Sequence, residues 1–494
     1  MSSQANRFAV VALCAVLASA TAGAAHAADA GAATDALPAP GPARKVSIPV
    51  AQEKTLPNGL RVVVASRNAT PLVSIALYVR SGAEIDPPNL AGLTDLTAGL
   101  LDQGTATRSA PQIAEAADAL GGSFGTGAGF DQSQVSISVT TPKVAAAMDL
   151  LADVVRNPAF APEEIERERR QMLDDLRVAL SQPGSIARFV AARAVYGDGA
   201  YGHSAGGTPS SLPRIQRDDI VKLHDTYYRP DNATLVLAGD IDLARAVQLA
   251  EHSFGDWKAP AAALPPVPAG QGVRKLAPTI AVDLPGTGQA AVMAVHGAIA
   301  RGSAEFYPGI VADAVLGGSY SARLNEEIRI KRGLSYGARS GLDARRQAGS
   351  FGGSAQTKNQ SAVEVAGLLL GEFERLSSTP PDADELAARK ATLSGNFGFS
   401  LETTRGLLGQ VANLAVYGLP LDELAHYLDK VQAVTADQVR TFAQAHLGRE
   451  GMSVIIAGDA QQFADALGKA YPKTERYTIA GLDLDSPTLK PAPK

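Results

Sequence analysis

Metal ligation, nucleophilic attack and phosphate binding each need particular side chains at particular spacings. This chain of 494 residues offers few of them. Two imidazoles that share one ion sit four residues apart, so that both leave the same face of a helix. His203, His224, His252, His296, His426 and His446 include no pair three or four apart, and each reads as a surface or satisfied core histidine. His26 and Cys14, the single cysteine, fall in the N-terminal segment, so the rest of the chain has no thiolate and no disulfide. The stretches GGSFGTGAGF and GGSYSARLN are glycine-rich, but neither continues into Gly-Lys-Ser/Thr. Both read as flexible connections between helix and strand. An autonomous serine hydrolase is set aside, because no Gly-x-Ser-x-Gly nucleophile elbow is recognised. The run EEIERERR reads as a solvated helix face with i,i+4 charge pairs.

The framework for any site is a globular one. Hydrophobic residues make up 46% and charged residues 19%, a soluble balance. A net charge of −5 and a pI near 5.9 exclude the basic footprint of a nucleic-acid binder. FAVVALCAVLASA is too short an apolar run to span a bilayer, and AHA (Ala25 to Ala27) fits a cleavage site. Residues 1–27 are therefore expected to be a signal peptide, and the mature chain periplasmic or secreted, with no membrane span. Residues 28–48 and 258–275 are Ala/Pro-rich and read as linkers. They bound an N-terminal domain at 49–257 and a C-terminal domain at 276–480, with a tail at 481–494.

The two domains echo each other. IQRDDIVKLHDTYYRPDNATLVLAGD ends at Asp240, and VTADQVRTFAQAHLGREGMSVIIAGD ends at Asp459, 219 residues later and without gaps. Each reads as an amphipathic helix, a polar turn and a buried strand. LRVVVAS, LVSIALYVR, QVSISVT, AAVMAVHG, LSYGARSGL and GSFGGSAQ read as strands. PQIAEAADALGG, APEEIERERRQMLDDLRVAL, SAVEVAGLLLGEFERL and DADELAARKATLSG read as helices. The expected class is α+β: two homologous domains, each a mostly antiparallel sheet packed with helices.

The segments LPNGLRVVV, SGAEIDPPNLAGLTDLTAGLLDQGT, FAPEEIERERRQMLDDL, YYRPDNATLVLAGDIDL and LNEEIRIKRGLSY carry a resemblance in their order and spacing. The chain resembles the pitrilysin/insulinase family of zinc peptidases, in particular two-domain subunits related to mitochondrial processing peptidase, over Ala51 to Tyr477. The family places H-x-x-E-H on the helix after the Asp-Pro-Pro turn. Its histidines bind zinc, the glutamate is the general base, and a downstream acidic residue completes the site. In GLTDLTAGLLDQGT those positions are Asp95, Ala98 and Gly99, and the downstream position falls at Asp174, with Asp175 beside it. The resemblance thus implies a chain with no catalytic zinc of its own. Asp95 is expected to cap or solvate its helix.

The resemblance also implies a substrate-binding pair. Active relatives use an arginine and a tyrosine of the C-terminal domain to orient substrate and stabilise an oxyanion. In EEIRIKRGLSY these align with Arg329 and Tyr336, with Gly333 turning the helix toward a strand that starts near Ser335. Read from spacing alone, Arg329 is a surface helix residue and Tyr336 an edge-strand residue. The functional expectation is a non-catalytic subunit that binds peptides. Its partner would be a homologous zinc-bearing subunit, in a heterodimer or larger assembly that hydrolyses peptides. The alternative is a peptide-binding or scaffold protein of the same clamp fold with no role in catalysis.

Overall fold

A computed structural model describes residues 48–268 and 276–491. The expected signal peptide and all but the last residue of the first linker lie outside the described residues. The first half supplies β1 (Gln52–Thr55), β2 (Arg61–Ser66), β3 (Leu72–Val79), β4 (Ser123–Ala128), β5 (Ser133–Thr140) and β6 (Ala233–Gly239). They form one sheet in the order β1-β2-β6-β3-β5-β4. The second half supplies β7 (Thr279–Asp283), β8 (Gln289–Ala298), β9 (Ala338–Ala344), β10 (Gly349–Lys358), β11 (Ser453–Gly458) and β12 (Glu475–Thr478). Their order is β12-β7-β11-β8-β10-β9.

Five strands correspond between the sheets. The β2–β6 and β7–β11 pairs are parallel, and the neighbours that follow them are antiparallel in both sheets. The duplication read from the repeated Ala-Gly-Asp strand ends is therefore a duplication of topology. The halves differ at one edge, where β1 runs antiparallel to β2 but β12 runs parallel to β7.

The helices of the first half are α1 (Leu93–Gly99), α2 (Ala110–Ala119), α3 (Val144–Arg156), α4 (Pro162–Ala179), α5 (Pro183–Tyr196), α6 (Arg217–Tyr227) and α7 (Leu243–Phe254). Those of the second are α8 (Phe306–Leu316), α9 (Arg323–Asn325), α10 (Ala362–Ser378), α11 (Ala383–Ser400), α12 (Thr404–Val416), α13 (Glu423–Ala433), α14 (Ala436–His446) and α15 (Ala464–Ala470). Most pack on their own half. On one face of the first sheet Val62, Val64, Ile75, Leu77, Leu235 and Leu237 meet α1, α3, α6 and α7. In the second half Val292, Ala294, Phe351 and Ile456 meet α8, α10 and α14.

Two helices cross over. The α12 helix buries Leu407, Val411 and Ala415 against Val63, Ala65, Ala76, Val236 and Ala238 on the other face of the first sheet. The α5 helix buries Ile186, Val190 and Ala194 against Ile280, Ala291, Val295, Ile455 and Ala457 of the second. Each half thus closes its partner's sheet, an exchange not anticipated from the sequence.

Other contacts join the halves. The turn between β9 and β10 carries Arg346, whose guanidinium donates to the Glu84 carboxylate (3.2 Å) and the Asp131 carbonyl (2.5 Å). The Arg345 guanidinium stacks 3.9 Å above the Phe130 ring. The segment expected as a tail packs inward instead: Leu484 and Leu489 are buried with α5, and Asp485 accepts from Thr208 at 2.9 Å. Within the second linker, the Pro260 and Ala262 carbonyls accept from the buried Arg229.

Because each sheet needs a helix from the other half, the two halves should unfold together. Leu407→Ala removes a fully buried side chain, a loss of about 2–5 kcal/mol by analogy with core truncations. Calorimetry should show one transition, displaced as a whole in the variant. Two separable transitions, with only one displaced, would contradict the shared core.

Candidate functional site

The helix expected to hold the chemistry is α1, and its start is fixed by a residue the sequence reading passed over. The buried Asp86 carboxylate accepts from the backbone N–H of Gly92 (2.8 Å) and Thr94 (2.9 Å) and from the Thr94 hydroxyl (2.5 Å). It satisfies N–H groups that a helix leaves open at its N-terminus. Asp95 is expected to cap or solvate the helix; the cap is Asp86, from the Asp-Pro-Pro turn. Gly92 adopts φ +91°, and a Cβ there would come 2.7 Å from Gly207 Cα. The 206–207 backbone therefore lies directly on the start of the helix, and only glycine fits.

Asp95, Ala98 and Gly99 follow one another along α1 toward α4. Asp95 is half-buried beside Gly206. Burial pushes its carboxyl up to about 6, and the nearby Glu168 adds to the shift. Ala98 is fully buried. Gly99 faces α4, where a Cβ would lie 3.1 Å from Glu168 Oε1. Burial raises the Glu168 carboxyl too. Asp174, expected at the downstream position, is exposed and pairs with Arg177 at 2.5 Å. Its neighbour Asp175 accepts from Gln171 at 3.1 Å. The carboxylate that meets Gly99 is therefore Glu168. The spacing of Glu164, Glu168 and Asp175 on one helical face was the signal for it. The solvated-face reading of EEIERERR obscured that signal.

Zinc needs nitrogen, sulfur or carboxylate donors that converge on one point. Here a methyl group and a hydrogen stand at two of the positions, and Asp95 and Glu168 supply the carboxylates. Among the described residues no three His, Cys, Asp or Glu side chains are grouped so as to hold a metal ion. These residues do not fit zinc.

The histidines serve the core and surface. His203 is half-buried, with Nε2 3.8 Å from Asp86 Oδ2. Burial and the charge of Arg193 hold it down at about 4, so it is neutral. His224 Nε2 lies 2.8 Å from the Val155 carbonyl, and its ring stacks on Tyr228. Two segments do spell Gly-x-Ser-x-Gly, contrary to the sequence reading: Gly121–Gly125 and Gly202–Gly206. Neither is an elbow. Ser123 opens the edge strand β4, and Ser204 sits among turns with no strand before it.

In the second half, α9 continues into a π turn at Glu326–Ile330 that carries Arg329. Such turns recur at functional positions. The Arg329 guanidinium lies 4.7 Å over the Tyr320 ring. Gly333, at φ +63°, ends the turn as expected, and its N–H donates to the Arg329 carbonyl at 2.9 Å. The strand begins at Ala338 rather than near Ser335. Tyr336 therefore stands on the connecting segment, 89% exposed. The structure places Arg329 and Tyr336 on one short segment, with no hydrogen bond between them among the described residues.

The exchanged helices leave part of each sheet face uncovered. On β5 the uncovered side carries Gln134, Ser136 and Ser138, opposite Gly127, Gly125 and Ser123 of β4. On β10 it carries Ser350, Gly352 and Ser354, opposite Asp343, Gly341 and Arg339 of β9. Both are shallow polar floors, each ending at an edge strand whose backbone groups are open on one side.

Comparisons with known proteins place this arrangement. Residues 61–208 match the family described as insulinase (peptidase family M16), and residues 214–393 match the peptidase M16 inactive domain. The chain is 27% identical over 407 residues to an uncharacterized zinc protease of Streptomyces coelicolor, covering 81% of this chain and 88% of that one. It is 25% identical over 400 residues to an uncharacterized zinc protease of Bacillus subtilis, covering 79% and 94%. A crystal structure of a peptidase M16 inactive domain from Pseudomonas fluorescens superposes with a TM-score of 0.77 at 26% identity, over 83% of this chain and 97% of that one. A protease structure from Helicobacter pylori superposes with a TM-score of 0.79 at 20% identity, a likeness of fold, over 83% of this chain and 100% of that one.

The raised Asp95 carboxyl has a consequence for stability. Its folded pKa near 6 lies above the ordinary 3.8, so the stability tied to its proton is complete below 3.8 and lost as pH rises through 6. Asp95→Asn should stabilise the protein at pH 8, by roughly 1–3 kcal/mol, and give no gain at pH 3. Thermal melts at both pH values check this; equal effects at both would exclude the burial cost.

Proposed function

The chain belongs to the insulinase (M16) family of peptidases, and we propose that it acts there as a non-catalytic, substrate-binding subunit. The carrying observation is the state of α1. The helix is built and capped by Asp86, yet Ala98 and Gly99 bring no donor and no base to it. A homologous partner with an intact H-x-x-E-H helix would supply the zinc and the base. This chain would supply the Arg329 and Tyr336 donors and the polar floors along which an extended peptide lies.

The chemistry asked of the pair is modest. A guanidinium donates up to five hydrogen bonds in a planar fork, and a phenol donates one. Aimed at a peptide carbonyl they orient it, and they strengthen their hold as negative charge grows on its oxygen. The exposure of Tyr336 leaves its hydroxyl able to reach a peptide held between two subunits. The N-terminal run FAVVALCAVLASA followed by AHA supports an exported location for this work.

Purified full chain should contain far less than one equivalent of zinc by elemental analysis and hydrolyse no peptide alone. Added to an M16 subunit bearing H-x-x-E-H, it should raise peptide hydrolysis. Arg329→Ala and Tyr336→Phe should each cut the stimulated rate about tenfold or more, on the scale of a lost oxyanion donor. Stimulation that survives both substitutions would remove the pair from the reaction. Peptide binding with no stimulation of any partner would favour the scaffold reading.

A further inference from the structure

Tyr336 lines a groove of about 440 Å³ that the peptide-binding role does not by itself explain. The α5 helix covers β8 and β11 but stops short of β10 and β9, so the helix forms one wall and the sheet forms the floor. Arg188 reaches in from α5. Arg339 rises from β9, opposite Ser354 of β10. Gln289 and Gln356 complete the polar lining.

The charge of this lining is one-sided. Elsewhere in the molecule several arginines meet carboxylates, as Arg323 meets Glu385 and Arg345 meets Asp343. Among the described residues Arg339 makes no hydrogen bond or ion pair, and Arg188 has only the Ser185 hydroxyl at 3.0 Å. No aspartate or glutamate lines the groove. The first turn of α5 opens here too, at Gly184, and its N-cap residue Gln182 makes no side-chain cap. The end of the helix therefore adds partial positive charge to that of the two guanidiniums.

We propose that this groove is a subsite for a carboxylate of the bound peptide, which makes acidic peptides the preferred ligands. The inference rests on the peptide-binding reading of Tyr336 and deepens it. A carboxylate is planar and accepts two parallel hydrogen bonds, the pattern an arginine fork donates. The Tyr336 hydroxyl and the glutamine amides donate to the remaining lone pairs, and the floor at Ala291 and Met293 takes the methylenes of an acidic side chain. The carboxylate comes from an internal Asp or Glu or from the peptide C-terminus.

Fluorescence anisotropy on the full chain separates these sources with three labelled peptides of equal length. One has a central Glu and an amidated end, one a central Gln and an amidated end, and one a central Gln and a free carboxyl end. The Glu peptide or the free-end peptide should bind about tenfold more tightly than the neutral one, the worth of one charge-assisted hydrogen bond. That advantage should shrink in Arg188→Gln and in Arg339→Gln, vanish in the double variant, and pass to a central-Lys peptide in Arg339→Glu. Equal binding of all three peptides by the unsubstituted chain overturns the acidic subsite and leaves the peptide-binding reading standing. An advantage that survives the double variant does the same. Binding of none of the peptides overturns both.

Discussion

Each sheet in this protein has apolar residues on both faces over part of its width, and its own half supplies helices for only one of them. The exchange of α5 and α12 resolves that excess. A leucine or valine taken from water into such a contact is worth about 1.5–3 kcal/mol, and each exchanged helix buries several. The relation of the two halves follows from this trade. So does the position of the uncovered floors, because each exchanged helix spans the central strands and stops before the outer two.

The same constraint is written in the strands. β2, β3 and β6 are near-continuous apolar runs, as VVVA, IALYV and TLVLA, because helices lie on both sides of them. β5 and β10 alternate, because one of their sides is open. The alternation told the strand assignment but not its cause. Periodicity reports that a face is buried and is silent about what buries it. The repeat ending at Asp240 and Asp459 made the duplication legible, and it appears as shared topology. The exchange was illegible for the same reason: α5 and α12 look like ordinary amphipathic helices of the halves that encode them. The inward packing of Leu484 and Leu489 was hidden by the proline-rich end that surrounds them.

The site was legible in part. The run GLTDLTAGLLDQGT marked the helix and the residues at its three decisive positions. What spacing left out was everything that reaches α1 from elsewhere. Asp86 caps it from six residues upstream of Gly92, and Glu168 meets Gly99 from another helix. A cap at the N-cap position is visible as a motif, whereas a buried carboxylate in a preceding turn is visible only once the chain is folded. For Glu168, seven residues before Asp175, helical period would have sufficed had the charged run not been read as solvated throughout.

The exchanged helices also set an order for the birth of the molecule. A ribosome releases α5 long before β8 and β11 exist, and β11 ends at Gly458, near the end of the chain. Until then the Ile186, Val190 and Ala194 stripe has no native surface to cover it. The first half can assemble one face of its sheet early, but its other face waits for α12. A nascent chain of this protein therefore carries two sticky surfaces through most of its synthesis. The sheet face is hidden once α12, which ends at Val416, has emerged, and the α5 stripe only when β11 closes, so completion comes late and in two steps.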